Sequence, residues 1–196
     1  MSRELKKFGV AAFLPTTMSA SPEDTQAALK GIKAVMDRPE PDGAIVLGAH
    51  MEAPFLQESK AGAQLKQYFV LPNEENWSAY TGPYAGIVRM ITMAPEKEGA
   101  LDFIRRLTDS GITVSIGHTS ADAETVHAAA DHGATHVTHT FNAQTPLNHR
   151  APGVPGAAMV DDRLNCEVIS DGIHLHPDVV RLLMRCKGKE LSLIHI

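Results

Sequence analysis

ITVSIGHTSADAETVHAAADHGATHVTHTFNA (residues 112–143) reads as strand, helix and strand, with a histidine where each strand runs out. ITVSIG (112–117) is short, apolar and rich in β-branched residues, as a buried strand is. A helical pattern then runs from about Ser120 to His132 and stops at Gly133, after which ATHVTH (134–139) resumes extended character. His118 and His139 therefore end neighbouring strands. Two strands joined through a helix pair in parallel by a right-handed crossover.

The same alternation continues on both sides. VAAFLPT (10–16) and GAIVLGAHM (43–51) read as strands around a helix that Ser21, Pro22 and Glu23 open, with Ala28, Ile32, Val35 and Met36 on its apolar face. A polar, aromatic-bearing stretch (52–83) leads to a strand in YAGIVRMITMA (84–94). Pro95 and Glu96 then start a helix carrying Leu101, Ile104 and Leu107, stopped by Gly111. Beyond a Pro- and Gly-marked loop (143–156) come NCEVISDG (165–172), a helix from near Pro177 to Gly188, and ELSLIHI (190–196). Repeated strand–helix units predict an α/β fold. Polar residues spread over several strand ends fit a partial (β/α)8 TIM-type barrel better than a doubly wound sheet, which gathers its ligands at one crevice.

Composition excludes several classes of partner. The 196 residues are 43% hydrophobic, enough for one large domain with a real core, and the formal net charge of −5 is interspersed. No basic stripe offers itself to nucleic acid or to a membrane surface, and no apolar run reaches bilayer length. MSRELKKFG is not followed by a secretory apolar region, so a cytoplasmic setting is expected. Cys166 and Cys186 lie in apolar segments and read as buried thiols.

Period-2 alternation puts Ala44, Val46, Gly48, His50 and Glu52 on one strand face and Ile45, Leu47, Ala49 and Met51 on the other. Glu52 then points into the barrel at its mouth. With His118 and His139 it makes a three-residue set on separate rigid elements, the layout of a zinc-like site with an open position. His50 shares the inward face and reads as an orienting neighbour rather than a ligand. His136 and His139 have opposite parity, so only one faces inward, and His139 is nearer the mouth. His127 and His132 fall on a helix, His132 near its negative end. In the loop FNAQTPLNHRAPGVPGAAM (141–159), Arg150 can fork onto a phosphate or carboxylate, and Asn142 and the Ala143 backbone can hydrogen-bond one. In SDGIHLHPD (170–178), His174 follows another strand and can reach a substrate, while His176 before Pro177 reads as a helix start.

HMEAPF (50–55), GHTSAD (117–122), THTFNAQTPLNHRAPGVPG (138–156) and SDGIHLHPD, in this order and spacing, resemble the N-acetylglucosamine-6-phosphate deacetylases of the amidohydrolase superfamily. That resemblance implies a barrel of the metal-dependent hydrolase kind. It implies Glu52, His118 and His139 as metal ligands, Asn142, Ala143 and Arg150 as holders of the sugar phosphate, and His174 on the substrate. It further implies a divalent cofactor, zinc first with iron, manganese or cobalt as alternatives, and hydrolysis of N-acetylglucosamine 6-phosphate to glucosamine 6-phosphate and acetate. The expected partner is that phosphorylated amino sugar, in cytoplasmic amino-sugar catabolism, with a homodimer for the intact enzyme.

The chain also departs from the pattern. Ala53 replaces a usual Gly, which is expected to crowd the turn. Gln64, in KAGAQ, replaces a His that polarises the amide carbonyl; Gln still donates a hydrogen bond but carries no charge. Residues 1–190 are expected to form a partial barrel domain, with the family's first barrel strand and flanking β-sandwich preceding residue 1. Residues 191–196 read as an aberrant or truncated last strand, ending His195-Ile196 where a Thr-Asp pair is expected. No catalytic Asp is therefore assigned, and little turnover is expected of the chain by itself.

Overall fold

Two long apolar runs each break in the middle, and the breaks shape one end of the molecule. After a short helix, α1 (Ser2–Lys7), the first run divides into β1 (Ala12–Phe13) and β2 (Thr16–Thr17) around Pro15, and the second into β3 (Ile45–Val46) and β4 (Ala49–Met51) around Gly48. Proline has no N–H for a ladder. At Gly48 a Cβ would lie 2.3 Å from Arg89 Cγ and 2.6 Å from the Ile87 carbonyl oxygen, so only glycine passes there. β1 and β3 form a separate two-stranded parallel sheet, while β2 and β4 join the main one. This computed structural model describes residues 1–188 and 192–195.

The main sheet continues through β5 (Val88–Met93), β6 (Thr113–Ile116), β7 (His136–Val137), β8 (Asn165–Ile169) and β9 (Ser192–His195). Among the described residues its strands run in the order β2-β4-β5-β6-β7-β8-β9, all in parallel. One crossover after another carries a helix: α2 (Pro22–Asp37), α3 (Glu74–Thr81), α4 (Ala100–Asp109), α5 (Ala123–Asp131), α6 (Gly153–Val160) and α7 (Pro177–Lys187). Sequential parallel order with intervening helices is the arrangement of a (β/α) barrel, here incomplete beside the eight strands of a closed one.

Alternate strand residues divide between two layers. Met51, Ile91, Met93, Val114, Ile116, Val137, Cys166 and Val168 are at most 2% exposed and join one core with Leu29, Ile104, Leu107, Val126 and Leu183 of the helices. Burial of such side chains stabilises by about 1.5–3 kcal/mol each. The opposite face carries Thr16, His50, Thr92, Ser115 and Glu167, and it looks into the barrel.

Several elements differ from the sequence reading. Residues Gly82–Ile87 form a 3-10 segment ahead of β5, α4 starts at Ala100, α3 lies in the polar stretch 52–83 to which no element was assigned, and α6 begins inside the expected loop 143–156. On α2 the buried stripe is Thr25 and Leu29 with Ile32 and Met36 beside it, whereas Ala28 and Val35 face solvent. Cys186 is exposed, in the last turn of α7, although Cys166 is buried as expected. Among the described residues no helix is long and apolar enough to cross a membrane. Residues 191 and 196, on which the reading of an aberrant last strand depends, lie outside the described residues.

Candidate metal centre

Parity alone delivers one of the three candidate ligands. His50 lies inside the barrel, so Glu52, two residues on, points the same way as the strand runs out. For His118 and His139 the count is wrong: Ser115 is inside, and its register partner on β7 is His136. An extended chain would then turn His118 and His139 outward. The backbone corrects this by taking left-handed conformations there, with φ of 46° at His118 and 31° at His139. Parity therefore misjudged His136 and His139: the strand ends at Val137, and the turn brings His139 in as well.

The three side chains meet. Glu52 Oε1 lies 2.9 Å from His118 Nε2 and 3.0 Å from His139 Nε2, and the two Nε2 atoms are 3.1 Å apart. His118 Nδ1 donates to the Lys60 carbonyl at 2.8 Å, since a carbonyl only accepts. A neutral His118 thus turns the lone pair of Nε2 toward a carboxylate oxygen, which is repulsive unless a proton or cation lies between them. One carboxylate and two imidazoles on one point could hold a metal ion, and the Lys60 carbonyl behind His118 is the kind of outer partner that ligating histidines usually have. Burial works to raise the Glu52 carboxyl, but hydrogen bonds with His118 and His139 prevail and hold it far below the usual carboxylate range.

The other candidates fall in two groups. Asn142 and Ala143 adjoin the cluster: Asn142 N and Nδ2 both donate to the His139 carbonyl, and Thr119 N donates to the Ala143 carbonyl at 3.2 Å. A Cβ built on Gly62 would lie 3.5 Å from His118 Cε1 and 3.9 Å from Ala143 Cβ, so segment 60–64 borders both. Gln64, in that segment, is buried and accepts from Ser19 N at 2.7 Å through Oε1, an arrangement that commits its oxygen and leaves its amide hydrogens. Among the described residues no hydrogen bond joins Arg150 or His174 to the cluster. Arg150 is exposed on the loop before α6, with its N–H on Asn148. His174 is held in a turn by Asp171, whose carboxylate accepts from both its N and its Nδ1. Ala53 sits buried at a cis Ala53–Pro54 bond, outside the left-handed region.

Sequence reading missed the groups that hold the ligands. Glu96 accepts from Thr119 Oγ1 and Ser120 N, which fixes the chain immediately after His118. Thr92, Ser115, Thr138 and Glu167 line the interior beneath the cluster, and His50 hydrogen-bonds Thr92 rather than reaching the metal position. Their inward parity was the only available signal.

No protein-family profile matches the chain. It is 39% identical over 197 residues to the N-acetylglucosamine-6-phosphate deacetylase of Vibrio furnissii, covering 99% of this chain and 48% of the relative. It is 37% identical over 190 residues to the enzyme of that name from Bacillus subtilis, covering 96% and 48%. A mutant N-acetyl-D-glucosamine-6-phosphate deacetylase of Mycobacterium smegmatis, solved in complex with N-acetyl-D-glucosamine-6-phosphate, is similar in fold with a TM-score of 0.86 and 32% identity, over 94% of this chain and 47% of that one. The chain spans about half the length of the relatives it matches. In sequence and in fold, the chain is similar to N-acetylglucosamine-6-phosphate deacetylases over about half of their length.

Proposed function

We propose that this chain binds a divalent cation at Glu52, His118 and His139 and, beside it, the phosphate of N-acetylglucosamine 6-phosphate. It is read as the partial barrel, residues 1–190 with a last strand in 191–196, of a cytoplasmic, homodimeric enzyme that releases acetate from that sugar. One observation carries the proposal: two imidazole nitrogens and a carboxylate oxygen converge within 3.1 Å of one another, with the Lys60 carbonyl fixing the tautomer of His118.

A cation bound there supplies Lewis acidity toward an amide and activation of water. Zinc suits the donor set, and iron, manganese and cobalt are the alternatives. The chain's own residues do the rest. Gln64, its oxygen occupied by Ser19, presents amide hydrogens as neutral donors to a carbonyl. Asn142 and the Ala143 backbone border the ligands, and the exposed guanidinium of Arg150 can fork onto a phosphate. His174, steadied by Asp171, offers a further hydrogen bond to the sugar. No residue of this chain is assigned the proton transfer to the leaving amine, so binding rather than fast turnover is expected of it alone.

The test is titration of the metal-free chain with zinc, followed by the sugar phosphate. About one ion should bind, and His118→Ala or His139→Ala should weaken it at least about 100-fold. The zinc-loaded chain should prefer N-acetylglucosamine 6-phosphate to N-acetylglucosamine, with the preference lost in Arg150→Ala. Unchanged zinc stoichiometry and affinity in both histidine variants would refute the centre. Equal weakening of both sugars in Arg150→Ala would move phosphate recognition to another residue.

A further inference from the structure

The interior of a (β/α) barrel is ordinarily filled by branched apolar side chains. Here His50 on β4, Thr92 on β5, Ser115 on β6, Thr138 just past β7 and Glu167 on β8 are each at most 4% exposed. They form one string. His50 Nε2 lies 2.8 Å from Thr92 Oγ1, Thr92 Oγ1 2.8 Å from Thr138 Oγ1, and Thr138 Oγ1 2.6 Å from Ser115 Oγ, which donates to Glu167 Oε1 at 3.3 Å. Gly117 opens the space for it, because a Cβ there would lie 2.7 Å from Thr92 Cγ2 and 2.8 Å from Thr138 Cβ.

A hydroxyl has one proton to give, so the string must run in one direction. Ser115 donates to Glu167, hence accepts from Thr138, which accepts from Thr92, which accepts from the Nε2–H of His50. At the far end Thr16 Oγ1, which donates to the Leu14 carbonyl at 3.4 Å, lies 3.3 Å from His50 Nδ1. Glu167 is the terminal acceptor that sets the direction. Its main chain adds a second hold, since Thr140 N donates to the Glu167 carbonyl at 2.7 Å. The residues on both sides of His139 are therefore tied to Glu167.

His139 depends on such ties. The Lys60 carbonyl aims the ring of His118, whereas Nδ1 of His139 is buried with no hydrogen-bond partner among the described residues. The backbone turn is what aims it. We propose that Glu167 is a positioning residue for His139, acting through Ser115 and Thr138 to fix the turn that directs the imidazole at the cluster. The inference rests on reading Glu52, His118 and His139 as the metal centre. Burial raises the Glu167 carboxyl, against the Ser115 hydrogen bond and with help from the charge of Glu52, to about 7. Glutamine, neutral and still accepting through Oε1, is accordingly a close mimic.

The test compares Glu167→Leu, Glu167→Gln, Thr138→Val and the double variant Glu167→Leu/Thr138→Val in the full chain. Zinc affinity should fall about 10–100-fold in Glu167→Leu and in Thr138→Val, stay within about twofold in Glu167→Gln, and fall no further in the double variant. In zinc-free protein the ring nitrogen resonances of His139 should shift in both single variants, while those of His127, paired with Asp161 on the outside of the sheet, stay put. If the His127 resonances show that Glu167→Leu has not folded, Ser115→Ala cuts the same link with a smaller change. Wild-type zinc affinity and unmoved His139 resonances in Glu167→Leu would overturn the proposal. So would a loss in Glu167→Gln as large as in Glu167→Leu, or losses that multiply in the double variant. Failure of the wild-type chain to bind zinc would remove the metal centre, and the His139 resonances would still decide the positioning.

Discussion

Glu167 places an acid in the barrel interior, and its environment fixes how stability must vary with pH. An ordinary glutamate titrates at 4.5, but burial brings this one to about 7, despite the Ser115 hydrogen bond and in the same sense as the Glu52 charge. Between those values the folded chain holds a proton that the unfolded chain has lost, so stability falls as pH rises from about 4.5 to 7 and stays lowered above it. The span corresponds to roughly 3 kcal/mol. Glu167→Gln has nothing to titrate, so its stability relative to wild type should be higher at pH 8 than at pH 5 by about that amount. Urea unfolding of zinc-free protein at the two pH values measures the difference, and an equal gap at both would contradict it. Glu52, His118 and His139 were legible in the sequence as polar residues where apolar strands stop, and the structure brings them together. Thr92, Ser115 and Thr138 were not, because threonine and serine inside a strand look like ordinary strand residues until their facing partners are known.

One turn secures the loops that follow two of the three candidate ligands, Glu52 and His118. The segment 95–99 between β5 and α4 sends Glu96 to Thr119 and Ser120, after His118, and Lys97 Nζ to the Leu56 carbonyl at 3.2 Å, after Glu52. Ser59 and Ser120 hydroxyls close the gap between the same loops at 2.7 Å. Without the Glu96 carboxylate, Ser120 N and the Thr119 hydroxyl lose their acceptor, a loss worth about 1–3 kcal/mol. Glu96→Ala should therefore speed amide exchange at Ser120 at least about tenfold while leaving the β8 amides unchanged, and an unaltered Ser120 rate would show the clasp to be idle. Elements announced by their own caps were legible beforehand. Ser21 accepts from Asp24 N at the start of α2, and His176 accepts from Asp178 N ahead of Pro177 in α7. α6 gave no such notice: Gly153, Val154, Pro155, Gly156, Ala157 and Ala158 are all buried, so GVPGAAMV has no polar face to set a helical period. α3 hid for the opposite reason, in a polar stretch whose start depends on the Asn73 cap.

At the scale of the molecule, fold and centre draw on different parts of the chain. The apolar layer between sheet and helices holds the barrel together, and strand–helix alternation alone was enough to foresee it. The centre requires left-handed backbone at His118, His139, Phe141 and Ala143, which no pattern of hydrophobicity encodes. For residues other than glycine that conformation costs roughly 1–2 kcal/mol each. Replacing His139 by glycine and by alanine separates backbone from side chain, since both remove the imidazole and only glycine is at ease there. The glycine variant should be the more stable by about 1 kcal/mol in zinc-free urea unfolding, and an alanine variant of equal or greater stability would show the turn to be unstrained. The same reasoning holds at His118. A descendant freed from any need for metal would gain robustness by letting these two codons drift to glycine, and would dismantle the centre while the barrel around it grew firmer.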